Sequence, residues 1–273
     1  MAAIGRLRGT VTWGDRSQMR TAPTFELKRP IPTDEMLDRR EDYLKELQRT
    51  TPCVPARPSP SGLGPGNSKT GRSGSRFASV FVWNLPSVVT CPGATQWCRR
   101  HCYNADPRKG VFPVEEWAEN WWWAENSPSA LGEVIDKQLA AAVMPCAVRL
   151  HSSGDFYSSR YISFWIRIVR RHPSVTFWAY TRSWVVPGLL SELEVLRCLA
   201  NVHLFASWDR HMPSVPAWWP RSLVFDNEDL MVEHMSRSPR ANLCREQIRE
   251  AESCASCGMC MTSCGEDVVF FLH

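Results

Sequence analysis

Apolar residues in the middle of this chain recur in two alternating rhythms. Ala78–Asn84 and Ala147–Leu150 are short, nearly continuous apolar runs, the pattern of strands buried on both faces. Val175–Thr181, Val202–Ala206 and, more weakly, Leu223–Phe225 repeat it. Between them lie stretches that read as helical: Trp117–Trp123, Leu131–Val143, Tyr161–Arg171 and Leu189–Ala200. Within Tyr161–Arg171, Ile162, Trp165, Ile166 and Val169 fall on one face at spacings of three and four. Strands alternating with helices predict an α/β fold with a parallel sheet and right-handed crossovers. The alternating stretch is about 160 residues long, against about 250 for a closed eight-unit barrel. The expectation is therefore a partial (β/α) barrel or an open parallel sheet, in which functional groups gather at the carboxyl ends of the strands.

The first 77 residues read differently. A helix is expected over Thr33–Leu47, with Asp34, Glu35 and Asp38 near its start and Met36, Leu37, Tyr43, Leu44 and Leu47 as an apolar stripe. Thr51–Ser75 is dense in Pro, Gly and Ser, a composition that buries too little apolar surface to offset chain entropy. The expected organisation has three parts: a largely disordered basic region over 1–77, an α/β domain over 78–240, and a Cys-rich extension over 241–273.

Composition narrows the class. Hydrophobic residues make up 44% of the 273, enough for a sizeable core. No run of about 18 apolar residues occurs, and Met1–Arg20 lacks the apolar stretch of a secretory signal. A cytoplasmic protein without a membrane partner is expected. A net charge of +4 is too small to argue nucleic-acid binding by itself. The chain is rich in Trp, with 13, some adjacent as in Trp121–Trp123 and Trp218–Trp219. Packing is the plain reading of these, and base stacking is the alternative.

The cysteines carry the chemistry. There are 11, an odd number in a chain without a secretory signal, which points to metal rather than to a disulfide framework. Cys53 has no cysteine neighbour in sequence and reads as a bystander. Cys91-x6-Cys98-x3-Cys102 follows the first predicted strand and contains a Pro92-Gly93 turn. Three thiolates are one short of a closed site, and an open coordination position marks catalytic rather than structural metal. Arg99, Arg100 and His101 would favour thiolates there. Zinc, with His101 or a distant residue as fourth ligand, is the alternative. Cys254-x2-Cys257-x2-Cys260-x3-Cys264 has the spacing of the bacterial ferredoxin run, with Gly265 where that run has Pro. Cys244 competes with Cys264 for the fourth position, and a four-thiolate zinc site is again the alternative.

Three polar groups end predicted strands. Ser152-Ser153-Gly154-Asp155 offers backbone N–H groups and a carboxylate for an amino group or a ribose; the simpler reading has Asp155 or Ser158 capping the next helix. Arg182 has the fork to bind a carboxylate or phosphate, or is an ordinary surface Arg. Asp209 and Arg210 read as a local ion pair. His151 is a candidate base, or a hydrogen-bonded structural residue.

Taken together, Thr90-Cys91-Pro92-Gly93-Ala94-Thr95, Cys98, Cys102-Tyr103, Arg149–Tyr157, Phe177–Ser183 and the C-terminal Cys run resemble the phage "gene product 88" domain family over Ser79–His273. The layout also resembles radical S-adenosylmethionine enzymes, which have a three-Cys loop after the first strand, a glycine–acid motif after the next and often auxiliary clusters at the C-terminus. The loop spacing here is x6 then x3 where those enzymes have x3 then x2, and the acid is Asp where they have Glu. That resemblance implies a 4Fe–4S cluster on Cys91, Cys98 and Cys102, with S-adenosylmethionine bound near Tyr103, Ser153, Gly154 and Asp155. It implies a second cluster on Cys254, Cys257, Cys260 and one of Cys244 or Cys264. His151, Asp155 and Arg182 are then the catalytic candidates, and a ferredoxin or flavodoxin the electron donor, with a small-molecule or macromolecular substrate. The reading from a different class is a non-catalytic iron–sulfur or zinc protein that binds nucleic acid in phage or plasmid replication.

Overall fold

The computed structural model describes residues 57–102, 104, 114–262 and 267–272, together with a two-stranded antiparallel pair formed by β1 (Arg6–Leu7) and β2 (Phe25–Glu26). The helix expected over 33–47 lies outside the described residues, as do Cys53, Tyr103, Cys264 and His273.

An eight-stranded sheet forms the body of the chain. Its strands are β3 (Gly64–Pro65), β4 (Ser79–Trp83), β5 (Cys146–Leu150), β6 (Thr176–Thr181), β7 (Val202–Trp208), β8 (Arg221–Phe225), β9 (Ala241–Leu243) and β10 (Asp267–Phe271). The order is β3-β4-β5-β6-β7-β8-β10-β9, with β3 antiparallel to β4 and every other neighbour parallel. The sheet is thus open and mixed. It does not close into a barrel, because β3 and β9 end it as unpaired edges. Five successive strands, β4 to β8, lie side by side in chain order, each crossover returning to the adjacent position as right-handed βαβ units do.

That winding places the helices on one face. α1 (Gln96–Arg100) follows the cysteine loop; α2 (Val114–Asn126), α3 (Pro128–Ala140), α4 (Ser159–Arg171), α5 (Pro187–Arg197) and α6 (Glu228–Arg237) fill later crossovers. Side chains at alternate strand positions, among them Trp83, Val148, Leu150, Phe177, Ala179, Leu204 and Ala206, share one apolar core with α3, α4 and α5. The stripe expected on α4 is buried: Ile162, Trp165 and Val169 are fully enclosed and Ile166 nearly so. Burying each such side chain stabilises by roughly 1.5–3 kcal/mol before entropy is counted. Ser158 caps α4 through its hydroxyl, which accepts from the Tyr161 N–H at 3.2 Å.

The opposite face is covered by the C-terminal cysteine segment. Val80, Ala147, Trp178, Phe205, Val268 and Phe270 pack there against Phe77, Cys244, Ala255, Cys260 and Met261. α7 (Cys254–Cys257) and α8 (Met259–Thr262) are single turns laid over the sheet, and the chain then re-enters it as β10, between β8 and β9. Residues 241–273 are therefore woven into the sheet where an appended extension was expected. Residues 57–77 also differ from the expectation of a region without a core. Leu63, Thr70 and Phe77 are buried, and the Lys69 and Thr70 carbonyls accept from the Cys254 and Ala255 N–H groups at 2.9 and 2.8 Å. Backbone pairing with the distant cysteine segment supplies the order that the local composition does not.

Tyr161 ties the helix layer to the sheet. Its hydroxyl accepts from Trp83 Nε1 at 2.7 Å and meets His151 Nε2 at 2.8 Å. Tyr161→Phe leaves two buried ring nitrogens without this partner, and the expected loss of stability is about 2 kcal/mol or more. A urea midpoint unchanged from the parent would refute that role.

Candidate functional site

A cavity of about 220 Å³ opens at the carboxyl ends of the strands, between the cysteine loop and the sheet face opposite the helices. Period-two geometry explains its floor: Arg149, Tyr180 and Ser207 each follow by two an inward residue of the apolar patch, Ala147, Trp178 and Phe205. Val224, Phe270 and Ser222 continue the floor, and Cys91, Cys98, Cys102, Trp97 and His101 form the roof.

The roof is held by side chains from three strand ends. The Thr95 hydroxyl caps α1 by accepting from the Cys98 N–H at 3.0 Å, and donates to Asp209 Oδ2 at 3.2 Å. Asp209, fully buried, also takes the Arg182 guanidinium and, at 2.8 Å, the His211 N–H. Gly93 lies against the Arg182 backbone so closely that a Cβ would stand 2.1 Å from the Arg182 carbonyl oxygen. The Pro92-Gly93 turn is thus required by this contact as well as by the turn itself.

The candidate residues at the strand ends meet in this cavity, and the geometry gives each a defined task. Asp155 is buried and accepts from the Phe156 N–H (2.7 Å), the Thr181 hydroxyl (2.6 Å) and the Arg182 N–H (2.8 Å). It braces the end of β5 against the end of β6, while Ser158 does the capping. Burial raises its pKa, opposed by those hydrogen bonds. Arg182 pairs with the chain's own Asp209, and Arg210 pairs with Asp226 at 3.0 Å, so the expected Asp209–Arg210 pair is replaced by two longer-range ones. The Ser153 N–H donates to Asn84 Oδ1 at 3.1 Å, and its carbonyl accepts from Leu85. That backbone is engaged within the fold. Gly154 (φ +81°) is demanded by β4's trailing loop, where a Cβ would meet Leu85 and Thr90 at 2.6 and 2.7 Å. The hydroxyls of Ser87 and Ser153 and the Nδ1 of His151 are buried on this lining without a hydrogen-bond partner. Nothing in the sequence singles out Ser87, Arg149, Tyr180 or Lys69 as cavity residues; the period-two register was the available signal for Arg149 and Tyr180.

Two sets of thiols result. Cys91, Cys98 and Cys102 line the cavity. The Cys91 pKa is pushed well above the ordinary thiol value, first by burial and then by the charges of Asp155, Cys102 and Cys98. Cys98 is pushed up to about 11, burial again leading and Arg182 opposing it. In the second set, burial pushes Cys254 up to about 11, with Arg149 and Lys69 opposing, and Cys260 up to about 12, with the Tyr180 hydroxyl hydrogen-bonded to its sulfur. Cys244 adds its charge to both. Cys244, not only the ferredoxin-like run, therefore belongs to this set. Among the described residues, no three His, Cys, Asp or Glu side chains close on a point as around one metal ion. A cluster whose irons occupy separate corners sets its thiolates farther apart than a single ion does, and the donor chemistry of each set, thiols alone, suits it. Raised pKa values mean that loading either set releases protons.

Residues 61–263 match the family described as Gene product 88, well over half of the chain. The chain belongs to that family. It is similar to the Gene 88 protein of Mycobacterium phage L5, 28% identical over 209 residues, which cover 67% of this chain and 85% of that protein. The Gene 88 protein of Mycobacterium phage D29 is 27% identical over 210 residues, with the same coverage. No solved structure matches. The family span begins at 61, which agrees with the packing of Leu63, Thr70 and Phe77 into the fold. Among the described residues of this family member, no helix is long and apolar enough to cross a membrane. Its Trp triplet is engaged in packing: Trp121 and Trp123 lie against the helix-face core, Trp121 edge-on to Tyr157.

His151 gives a pH signature. Burial, and then the Arg149 charge, lower its pKa from 6.5 to about 3. Below pH 6.5 the unfolded chain takes up a proton that the folded chain refuses, so stability is full above 6.5 and declines toward 3. The denaturation midpoint is expected to fall between pH 7 and pH 4, with a shallower fall in His151→Asn, whose side chain tolerates the left-handed backbone at this position (φ +66°). Equal slopes for the two proteins would remove His151 as the source.

Proposed function

We propose that this chain is an iron–sulfur enzyme of the radical S-adenosylmethionine kind, with a reaction-centre cluster on Cys91, Cys98 and Cys102 and an auxiliary cluster on the C-terminal thiols. The observation that carries the reading is that all three cysteines of one loop line a cavity at the carboxyl ends of parallel strands. When bound, a three-thiolate cluster with one iron left open would supply the electron for reductive cleavage of S-adenosylmethionine and hydrogen abstraction from substrate.

The chain's own residues do the rest. Asp155 and Asp209 fix the loop and the strand ends through the contacts to Arg182 and Thr95. His151, neutral at physiological pH, is a weak base but a hydrogen-bonding group, with Nε2 held by Tyr161 and Nδ1 buried on the lining. The roof residue Trp97 and the floor residues Val224 and Phe270 exclude water from the space between. At about 220 Å³ the cavity is smaller than the roughly 300–1,000 Å³ of sites for drug-sized ligands, so it takes a small molecule or one end of a larger one.

Anaerobic reconstitution tests this reading. About eight irons per chain, four for each cluster, and 5′-deoxyadenosine formed from S-adenosylmethionine with dithionite are expected. Cys98→Ala should lose about half of the iron and all of the product. Stoichiometric zinc without broad absorbance near the violet, or full product formation by Cys98→Ala, would overturn the proposal.

A further inference from the structure

The floor of the cavity carries more positive charge than the fold needs. Parallel strands buried on both faces are apolar, and Cys146-Ala147-Val148-Arg149-Leu150 departs from that rule once, at Arg149. This side chain belongs to a residue only 6% exposed, and a guanidinium so placed is costly unless something repays its desolvation. Its Cζ stands 5.5 Å from the centre of the Tyr180 ring, and Tyr180 meets the Phe270 ring edge-on at 5.7 Å. Lys69 Nζ stands 5.0 Å from the centre of that second ring. Two cations thus flank a wall of two aromatic rings, and all four residues line the cavity.

We infer that this floor binds the oxyanion of a small ligand, a carboxylate or a phosphate, whose apolar or aromatic body lies against Tyr180 and Phe270. The inference names the class of substrate for the cavity of the preceding reading, yet the binding itself requires no cluster. Charge balance supports it. Among the described residues, Asp155 is the one acid on the lining, and its oxygens are taken by three donors from the chain. Arg182 is neutralised by Asp209. Lys69 has Glu246 at 3.6 Å, beyond hydrogen-bond range, and so keeps capacity for a closer anion. The partnerless hydroxyls of Ser87 and Ser153 add neutral donors on the same lining. A competing account is that Arg149 and Lys69 serve only the thiols behind the wall, since both charges reach Cys254.

Binding of benzoate, phenyl phosphate and benzamide to the full chain, followed by ligand-observed NMR, separates these accounts. Benzoate or phenyl phosphate is expected to bind about tenfold or more tightly than the neutral, similarly shaped benzamide, the stronger of the two identifying the oxyanion. Lys69→Gln, at the cavity edge, should weaken the anion by about threefold to tenfold, and Arg149→Gln by more. If Arg149→Gln does not fold, Lys69→Gln alone decides. Equal binding of benzamide, no anion binding, or Lys69→Gln binding like the parent overturns the inference. So does a fall in iron content in either variant with anion binding unchanged. Because the assay does not involve S-adenosylmethionine, it reads out even where no 5′-deoxyadenosine forms.

Discussion

Arg182 holds the carboxyl edge of this sheet together. Its N–H is bonded to Asp155 at the end of β5, its guanidinium to Asp209 at the end of β7, and its carbonyl presses on Gly93 in the cysteine loop. Two buried carboxylates are tolerable only because each has its full set of donors: three for Asp155, and Arg182, Thr95 and His211 for Asp209. Removing any of these partners leaves a buried charge short of compensation. The position of Cys98, capped through Thr95 onto Asp209, depends on the same network. The loop that carries the three thiols is therefore fixed by charged groups that touch no ligand.

The two faces of the sheet do different work. Against the helices, alternate strand side chains meet α3, α4 and α5 in one continuous apolar core. On the other face the cover is thin: two single-turn helices and the return of the chain as β10. Thin cover is what leaves a cavity there. A second layer of full-length helices would fill the space that Arg149, Tyr180 and Phe270 now border. An open sheet also allows β10 to insert between β8 and β9, which closure into a barrel would forbid.

Legibility in the sequence followed the length of the pattern. Strands β4 to β8 and helices α3 to α5 announced themselves by period, because each buries a long face against a regular neighbour. β3 and β9 did not, since two or three residues carry no period, and α6 has only Met231 and Met235 fully buried to mark it. β10, Asp267–Phe271, was hidden by its position: it follows the cysteine run and joins the sheet beside strands distant in sequence. The order over 57–77 was likewise invisible, because it comes from bonds to Cys254 and Ala255. At the site, residue types were readable and tasks were not. Asp155 and Arg182 looked like ligand groups because an acid and a base at strand ends usually face solvent or substrate. Here they face each other's strands, and only the fold could supply those partners.

The same distinction separates the two cysteine sets. The C-terminal run is the more specific motif, yet none of its thiols lines the cavity; Arg149 and Tyr180 stand between them and it. The loop of Cys91, Cys98 and Cys102 is the looser pattern, yet all three border open space. A set of thiols enclosed by Phe77, Met261 and Phe270 can hold a metal group but cannot present it to a substrate. A set on the wall of a cavity can do both. Because Tyr180 hydrogen-bonds Cys260 on one side and faces the cavity on the other, the enclosed set is separated from the reaction space by a single side chain. Chemistry in the cavity and the state of the enclosed set are therefore in electrostatic reach of each other, with Arg149 and Tyr180 as the shared wall.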